Sequence, residues 1–115
     1  IINIASVEAL TPGFGLGIYS TSKAAILMLS KNQAKEWGKH GVRVNAICPG
    51  LIKTKFSAAL WQNEKILGKI QETLPSQRMG MPEEMVGLAC LLASDAGSYM
   101  TGGVYTADGG YMIAG

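Results

Sequence analysis

Ser6, Tyr19 and Lys23 are residue types that together can move a proton to or from a carbonyl or alcohol oxygen. Tyr19 and Lys23 stand four apart in "IYSTSKAAILML" (18–29), so a helix there would place them on one face, about 6 Å apart along the axis. A phenol titrates near about 10, so it is a poor acid or base at neutral pH, and bringing it to about 7 takes roughly 4 kcal/mol. A lysine ammonium about 5 Å from the phenolate, at an effective dielectric of about 20, supplies roughly 3 kcal/mol of that. A second positive charge, such as an oxidised nicotinamide ring, could supply the remainder. Ser6 lies thirteen residues before the tyrosine, at the end of the apolar run "IINIAS". Its hydroxyl could hold the substrate oxygen while Tyr19 passes the proton. A Tyr-x-x-x-Lys by itself is common on helix surfaces, so the surrounding elements must decide whether these residues meet.

Apolar runs rich in β-branched residues predict strands at 1–4 ("IINI") and 42–48 ("VRVNAIC"), both buried, and a last short strand at 102–108 ("GGVYTAD"). "EALTPGFGLG" (8–17) is broken by Pro12 and three glycines and reads as a loop. A helix is expected over 19–39, with Ala24, Leu27, Met28 and Ala34 as its apolar face, Lys31, Lys35 and Lys39 as its polar one, and Gly41 as its stop. "LIKTKFSAALWQNE" (51–64) reads as loop or short helix. Helices follow over 64–74, ended by Pro75, and 81–94, where Pro82 and two glutamates open the first turn and Met85, Leu88, Leu91 and Leu92 form a stripe. The order β, α, β, α, α, β argues for an α/β fold with parallel strands and right-handed crossovers. Ligands of such sheets bind at the carboxyl ends of the strands, which is where Ser6, the helix start at Tyr19 and the segment 49–54 would all lie. "GFGLG" (13–17) imitates a dinucleotide-binding loop, but Ile18 occupies the place of the third glycine, so these glycines read as turn residues.

These pieces resemble the short-chain dehydrogenase/reductase family, of the classical type with a single-domain subunit. "NIAS" resembles the family's serine-bearing strand end, and "YSTSK" its Tyr-x-x-x-Lys motif at the usual gap. "RVNAICPGLIKT" resembles the segment that wraps the nicotinamide, and "GMPEEMVGLACLLASDAGSYMTGGVYTADGG" resembles the last helix, strand and turn. The resemblance implies an NAD(P)-dependent oxidoreductase that interconverts a carbonyl and a secondary alcohol. Ser6 would orient the substrate, Tyr19 would be the acid or base, and Lys23 would tune it and hold the nicotinamide ribose. Pro49, Gly50 and Ile52 would pack on the nicotinamide, and Thr54 would bond its carboxamide or the diphosphate. Residues 55–75 would form a substrate lid, with Phe56, Leu60 and Trp61 either lining an apolar pocket or packing in the core, and Glu8 and Phe14 either near the pocket mouth or simply on the surface. NADP is the more expected cofactor, NAD the other. The substrate segment looks like carbonyl reductases, and the last helix equally like 3-oxoacyl thioester reductases.

The family's Gly-rich phosphate loop, its ribose selector and its "NNAG"-like strand have no counterpart here. The chain therefore resembles the C-terminal half of such a subunit, three strands of a Rossmann-like doubly wound parallel sheet, with the N-terminal half absent. Its 115 residues make one partial domain. A truncated, non-catalytic piece that only packs against a partner is the alternative.

With 16% charged residues and a net charge of +2, nothing suggests nucleic acid or an anionic membrane as partner. A small-molecule substrate, a homodimer or homotetramer and a cytoplasmic location are expected. Cys48 and Cys90 lie in apolar segments and read as reduced core residues. His40, the single histidine, reads as a helix-end residue, and no spacing suggests a metal site.

Overall fold

The computed structural model describes residues 1–114. Three strands, β1 (Ile2–Ile4), β2 (Asn45–Pro49) and β3 (Val104–Ala107), form one parallel sheet in the order β1-β2-β3. The helices are α1 (Gly17–Trp37), α2 (Ala58–Trp61), α3 (Glu64–Thr73) and α4 (Val86–Ala93). This is the expected α/β order, and the sheet is parallel as the alternation required.

The centre of the sheet is its driest part. Ala46, Ile47 and Cys48 of β2 are fully buried, and Ala5, Leu27, Ala46 and Cys48 pack as one apolar cluster under α1. β2 begins later than the apolar run because the Val44 N–H donates to Thr101 Oγ1 and not to a neighbouring strand. Asn45 then staples the start of β3: its buried amide donates to the Met100 carbonyl at 2.7 Å and accepts from the Gly103 N–H at 3.0 Å. Arg43 adds two bonds, to the Met100 and Ser94 carbonyls.

β1 is not the buried strand that its composition suggests. It pairs with β2 on one side, while Ile1 and Ile4 are more than half exposed. α1 corrects the expected stripe too. Leu27, Ser30 and Ala34 face the sheet, whereas Met28 is exposed, since one residue turns a helix by about 100°. Ser30 is accommodated at that face because its hydroxyl donates to the Ile26 carbonyl and accepts from Asn3 Nδ2. Gly41 ends the helical run at φ 76°, a conformation glycine adopts without strain. The last predicted helix divides into a 3-10 turn, Pro82–Met85, and α4, where Leu92 alone of the expected stripe is buried. Cys48 is a core thiol whose pKa burial pushes up, but Cys90 is exposed on α4, contrary to its core reading. Among the described residues no helix is long and apolar enough to cross a membrane, and no cluster of His, Cys, Asp and Glu could hold a metal.

Candidate active site

The strand register brings the candidate residues to one edge. Ile4 pairs with Ile47 and Pro49 with Ala107. Two residues past Ile4, Ser6 is therefore level with Pro49, and both lie where the parallel strands end at their carboxyl side. The Ser6 backbone lowers the Cys48 thiol's pKa in part, against the larger effect of burial. Ser6 is buried and caps a 3-10 turn, Val7–Ala9, with its Oγ accepting the Glu8 N–H at 3.2 Å.

α1 starts without a side-chain cap, and the hydroxyls of its first turns bond back onto the helix, Thr21 to the Gly17 carbonyl and Ser22 to that of Tyr19. Tyr19 and Lys23 then fall on one face, as their spacing requires. Lys23 Nζ sits 5.8 Å from the centre of the Tyr19 ring and donates to the Ile4 carbonyl at 3.2 Å. One lysine thus ties the tyrosine's helix to the last residue of β1. Arg78–Glu84 is the ion pair found among the described residues, so the Lys23 charge is not spent on a carboxylate.

Past β2, Gly50 is packed so tightly that a Cβ would come within 2.6 Å of Asp108 Cα. Its N–H continues the ladder to the Ala107 carbonyl. Ile52 makes a parallel bridge with Gly80, which closes the segment between them into a loop carrying α2 and α3. Thr54 sits inside that loop. Its Oγ1 faces Ser57, whose hydroxyl donates to the Ile52 carbonyl at 2.6 Å and accepts the Thr54 N–H at 3.0 Å.

The expected apolar pocket is gathered only in part. Phe56 reaches the tyrosine: the two rings are 6.1 Å apart and inclined by 29°. Trp61 does not line a pocket with it. Its indole N–H donates to the Thr54 carbonyl and its ring carries Lys53 Nζ at 4.9 Å, so it braces the base of its own loop. Leu60 is half-buried beside it, and Phe14 projects fully into solvent. Glu8 is half-buried, not a loose mouth residue. Its carboxylate accepts from Ser20 Oγ at 3.3 Å and from the Tyr111 hydroxyl at 3.1 Å. Burial, then the Glu8 charge, then that hydrogen bond raise the Tyr111 pKa, so the phenol remains a donor. Tyr111 escaped the sequence reading because its partner lies 103 positions away. A cavity of about 230 Å³ lies between Leu51 and Ile52 past β2, the end of β3 and the loop at 76–85; none of Ser6, Tyr19 and Lys23 lines it.

Several known proteins similar to this chain in sequence and shape carry oxidoreductase names. The profile of the family described as "Enoyl-(Acyl carrier protein) reductase" matches residues 1–112. "Dehydrogenase/reductase SDR family member 4" of Oryctolagus cuniculus is 42% identical over 110 residues, which are 96% of this chain and 42% of that protein. A probable 2,4-dienoyl-CoA reductase of Bacillus subtilis is 40% identical over 115 residues, 98% of this chain and 45% of that protein. A gluconate 5-dehydrogenase of Burkholderia cenocepacia, solved with NADP and tartrate, superposes with a TM-score of 0.96 at 30% identity, over 100% of this chain and 45% of its own. A 4-hydroxyisoleucine dehydrogenase solved with NADH gives 0.95 at 33% identity, over 100% of this chain and 47% of its own. The chain thus spans less than half the length of these relatives. Matched along nearly its whole length, the chain belongs to the short-chain dehydrogenase/reductase family.

Proposed function

We propose that these residues form the proton-transfer half of an NAD(P)-dependent oxidoreductase that interconverts a carbonyl and a secondary alcohol. The observation that carries the reading is the Lys23 ammonium, beside the Tyr19 ring and bonded to the end of β1, with no acid to neutralise it. Ser6 holds the substrate oxygen from the strand end. Tyr19 gives that oxygen a proton in reduction and takes it back in oxidation. Lys23 stabilises the negative charge that the phenol acquires.

The donor set suits the nicotinamide end of a dinucleotide. Lys23 offers an ammonium for ribose hydroxyls, and the backbone of Pro49, Gly50 and Ile52 with Thr54 forms a wall at the same sheet edge. When bound, the nicotinamide would supply or accept the hydride. Tyr19 and Phe56 stack loosely, so the loop over 55–75 can cover the substrate and shed water from it. Small-molecule carbonyl compounds are the substrate class; the relatives' names, from dienoyl thioester to sugar acid, favour none of them for this chain. NAD and NADP both remain open to it, and an assembly of two or four subunits accords with the exposed faces of α1 and α4.

The test is Tyr19→Phe in the whole protein. Turnover with NADPH or NADH should fall by at least ~10²-fold, the scale of a lost general acid, while cofactor binding, read by nucleotide fluorescence, stays unchanged. Retained turnover would remove Tyr19 from the reaction.

A further inference from the structure

Glu8 links the turn of Ser6 to the helix of Tyr19. Its backbone N–H holds Ser6 Oγ at 3.2 Å. Its carboxylate takes the hydroxyl of Ser20, the residue next to Tyr19, at 3.3 Å. The other carboxylate oxygen takes the Tyr111 hydroxyl at 3.1 Å, from the turn that follows β3. Gly13 closes the fourth side: a Cβ there would collide with the same carboxylate. No Lys or Arg pairs with Glu8 among the described residues. The group is therefore held by hydroxyls that point it, and not by a cation that would merely neutralise it.

We infer that Glu8 is a positioning residue that sets the distance and angle between Ser6 and Tyr19, with Tyr111 as the latch that fixes it. This rests on the proton-transfer reading above. The linkage runs from the Ser6 hydroxyl through one residue to the first turn of α1, so a displaced Glu8 moves the Ser6 turn against the Tyr19 helix. Reacting groups displaced by about 1 Å lose up to about 10²-fold in rate. The Glu8 carboxylate bonds Ser20 and Tyr111 and no residue of the wall at 49–54, so its loss should spare cofactor affinity. A glutamine preserves the arrangement, because its carbonyl accepts from one hydroxyl and its amide donates to the other, whose oxygen is free to accept.

The experiment measures kcat, both KM values and Tm for Glu8→Ala, Glu8→Gln, Tyr111→Phe, the Glu8→Ala/Tyr111→Phe double variant and Tyr19→Phe in the whole protein. The probe is the carbonyl compound it reduces fastest from a panel of ketones, aldehydes and 3-oxoacyl thioesters. Glu8→Ala should lower kcat about tenfold or more with cofactor KM within about twofold, and Glu8→Gln should recover most of the rate. Tyr111→Phe should lower kcat in the same sense, and the double variant should be no worse than Glu8→Ala, since the latch acts through the carboxylate. Unchanged kcat in Glu8→Ala and Tyr111→Phe, or Glu8→Gln as slow as Glu8→Ala, or losses that multiply in the double variant, overturns the inference. If Tyr19→Phe retains turnover, or the parent reduces nothing in the panel, the proton-transfer reading itself fails and takes this one with it. A dead Tyr19→Phe beside a fully active Glu8→Ala removes this inference alone.

Discussion

Glu84 receives three hydrogen bonds: Arg78 Nη2 to Oε1 at 2.7 Å, Arg78 Nη1 to Oε2 at 2.8 Å and the Met81 N–H to Oε2 at 2.8 Å. The Arg78 hydrogen bonds, then the Met81 N–H, hold its pKa down at about 2, from an ordinary 4.5. A carboxylate depressed in the folded state contributes stability that is present above 4.5 and lost as pH falls through about 2. Both side chains are well exposed, so solvent and salt weaken the pair. Glu84→Gln should therefore lower Tm at neutral pH, and the gap to the parent should close between pH 4.5 and 2. A gap that persists unchanged below pH 2 would show that the amide disrupts something other than a charge-assisted bond. Single residues differ in how far the sequence exposes them. Tyr19 and Lys23 are legible because one helix turn relates them, and Ser6 because a strand end precedes it. Arg78 with Glu84, and Glu8 with Tyr111, answer to no helical or strand period. Arg78 and Glu84 meet because the loop between α3 and α4 folds back on itself, and Glu8 and Tyr111 because separate loops are brought to one sheet edge, which only the assembled fold reveals.

Whole elements were more legible than their faces. α1 and the order of the strands follow from periodicity and from Gly41, and β3 with its Gly-Gly turn from composition. The start of β2 did not follow, because the Val44 N–H is claimed by a threonine from a distant loop. The exposed sides of β1 and α1 did not follow either, because apolar composition states what an element can bury, not what lies against it. Glycines give the sharpest test at this scale. Gly50 joins β2 to the loop under Asp108, where a Cβ has no room. Gly68 lies in mid-α3 with nothing within 4 Å of its would-be Cβ. Gly50→Ala should destabilise by about 1–3 kcal/mol through forced displacement of backbone. Gly68→Ala should stabilise by about 0.5–1 kcal/mol through helix propensity. Denaturant midpoints should move in opposite directions. If both fall, α3 is packed against something at Gly68 that leaves no space for a methyl.

At the scale of the molecule the sheet is dry in the middle and wet at one side. Three residues of β2 are fully buried, yet Ile1 and Ile4 beside them are more than half exposed, as are Met28 and Leu29 of α1. The radius of gyration is 15.2 Å, against about 13 Å for a compact chain of this length. An edge strand with free hydrogen-bonding groups and apolar flanks is a surface made for further chain, not for water. The relatives more than twice as long accord with that. The same division runs through the proposed cofactor site. In the reading proposed above, the wall at 49–54 and Lys23 meet a nicotinamide riboside, but a pyrophosphate needs backbone N–H groups at a helix N-terminus entered by a tight glycine turn. Here α1 is entered through a long loop, and its first turn carries Tyr19. The 115 residues expressed alone should therefore melt at low temperature, and NADPH or NADH should not raise Tm in a saturable way. A ligand at a hundred times its Kd stabilises by about 2.7 kcal/mol, a shift that scanning fluorimetry resolves easily in a chain this small. A saturating, nucleotide-specific rise would mean that the isolated piece completes the phosphate site by itself, and the division of labour argued from its sheet edge would be wrong.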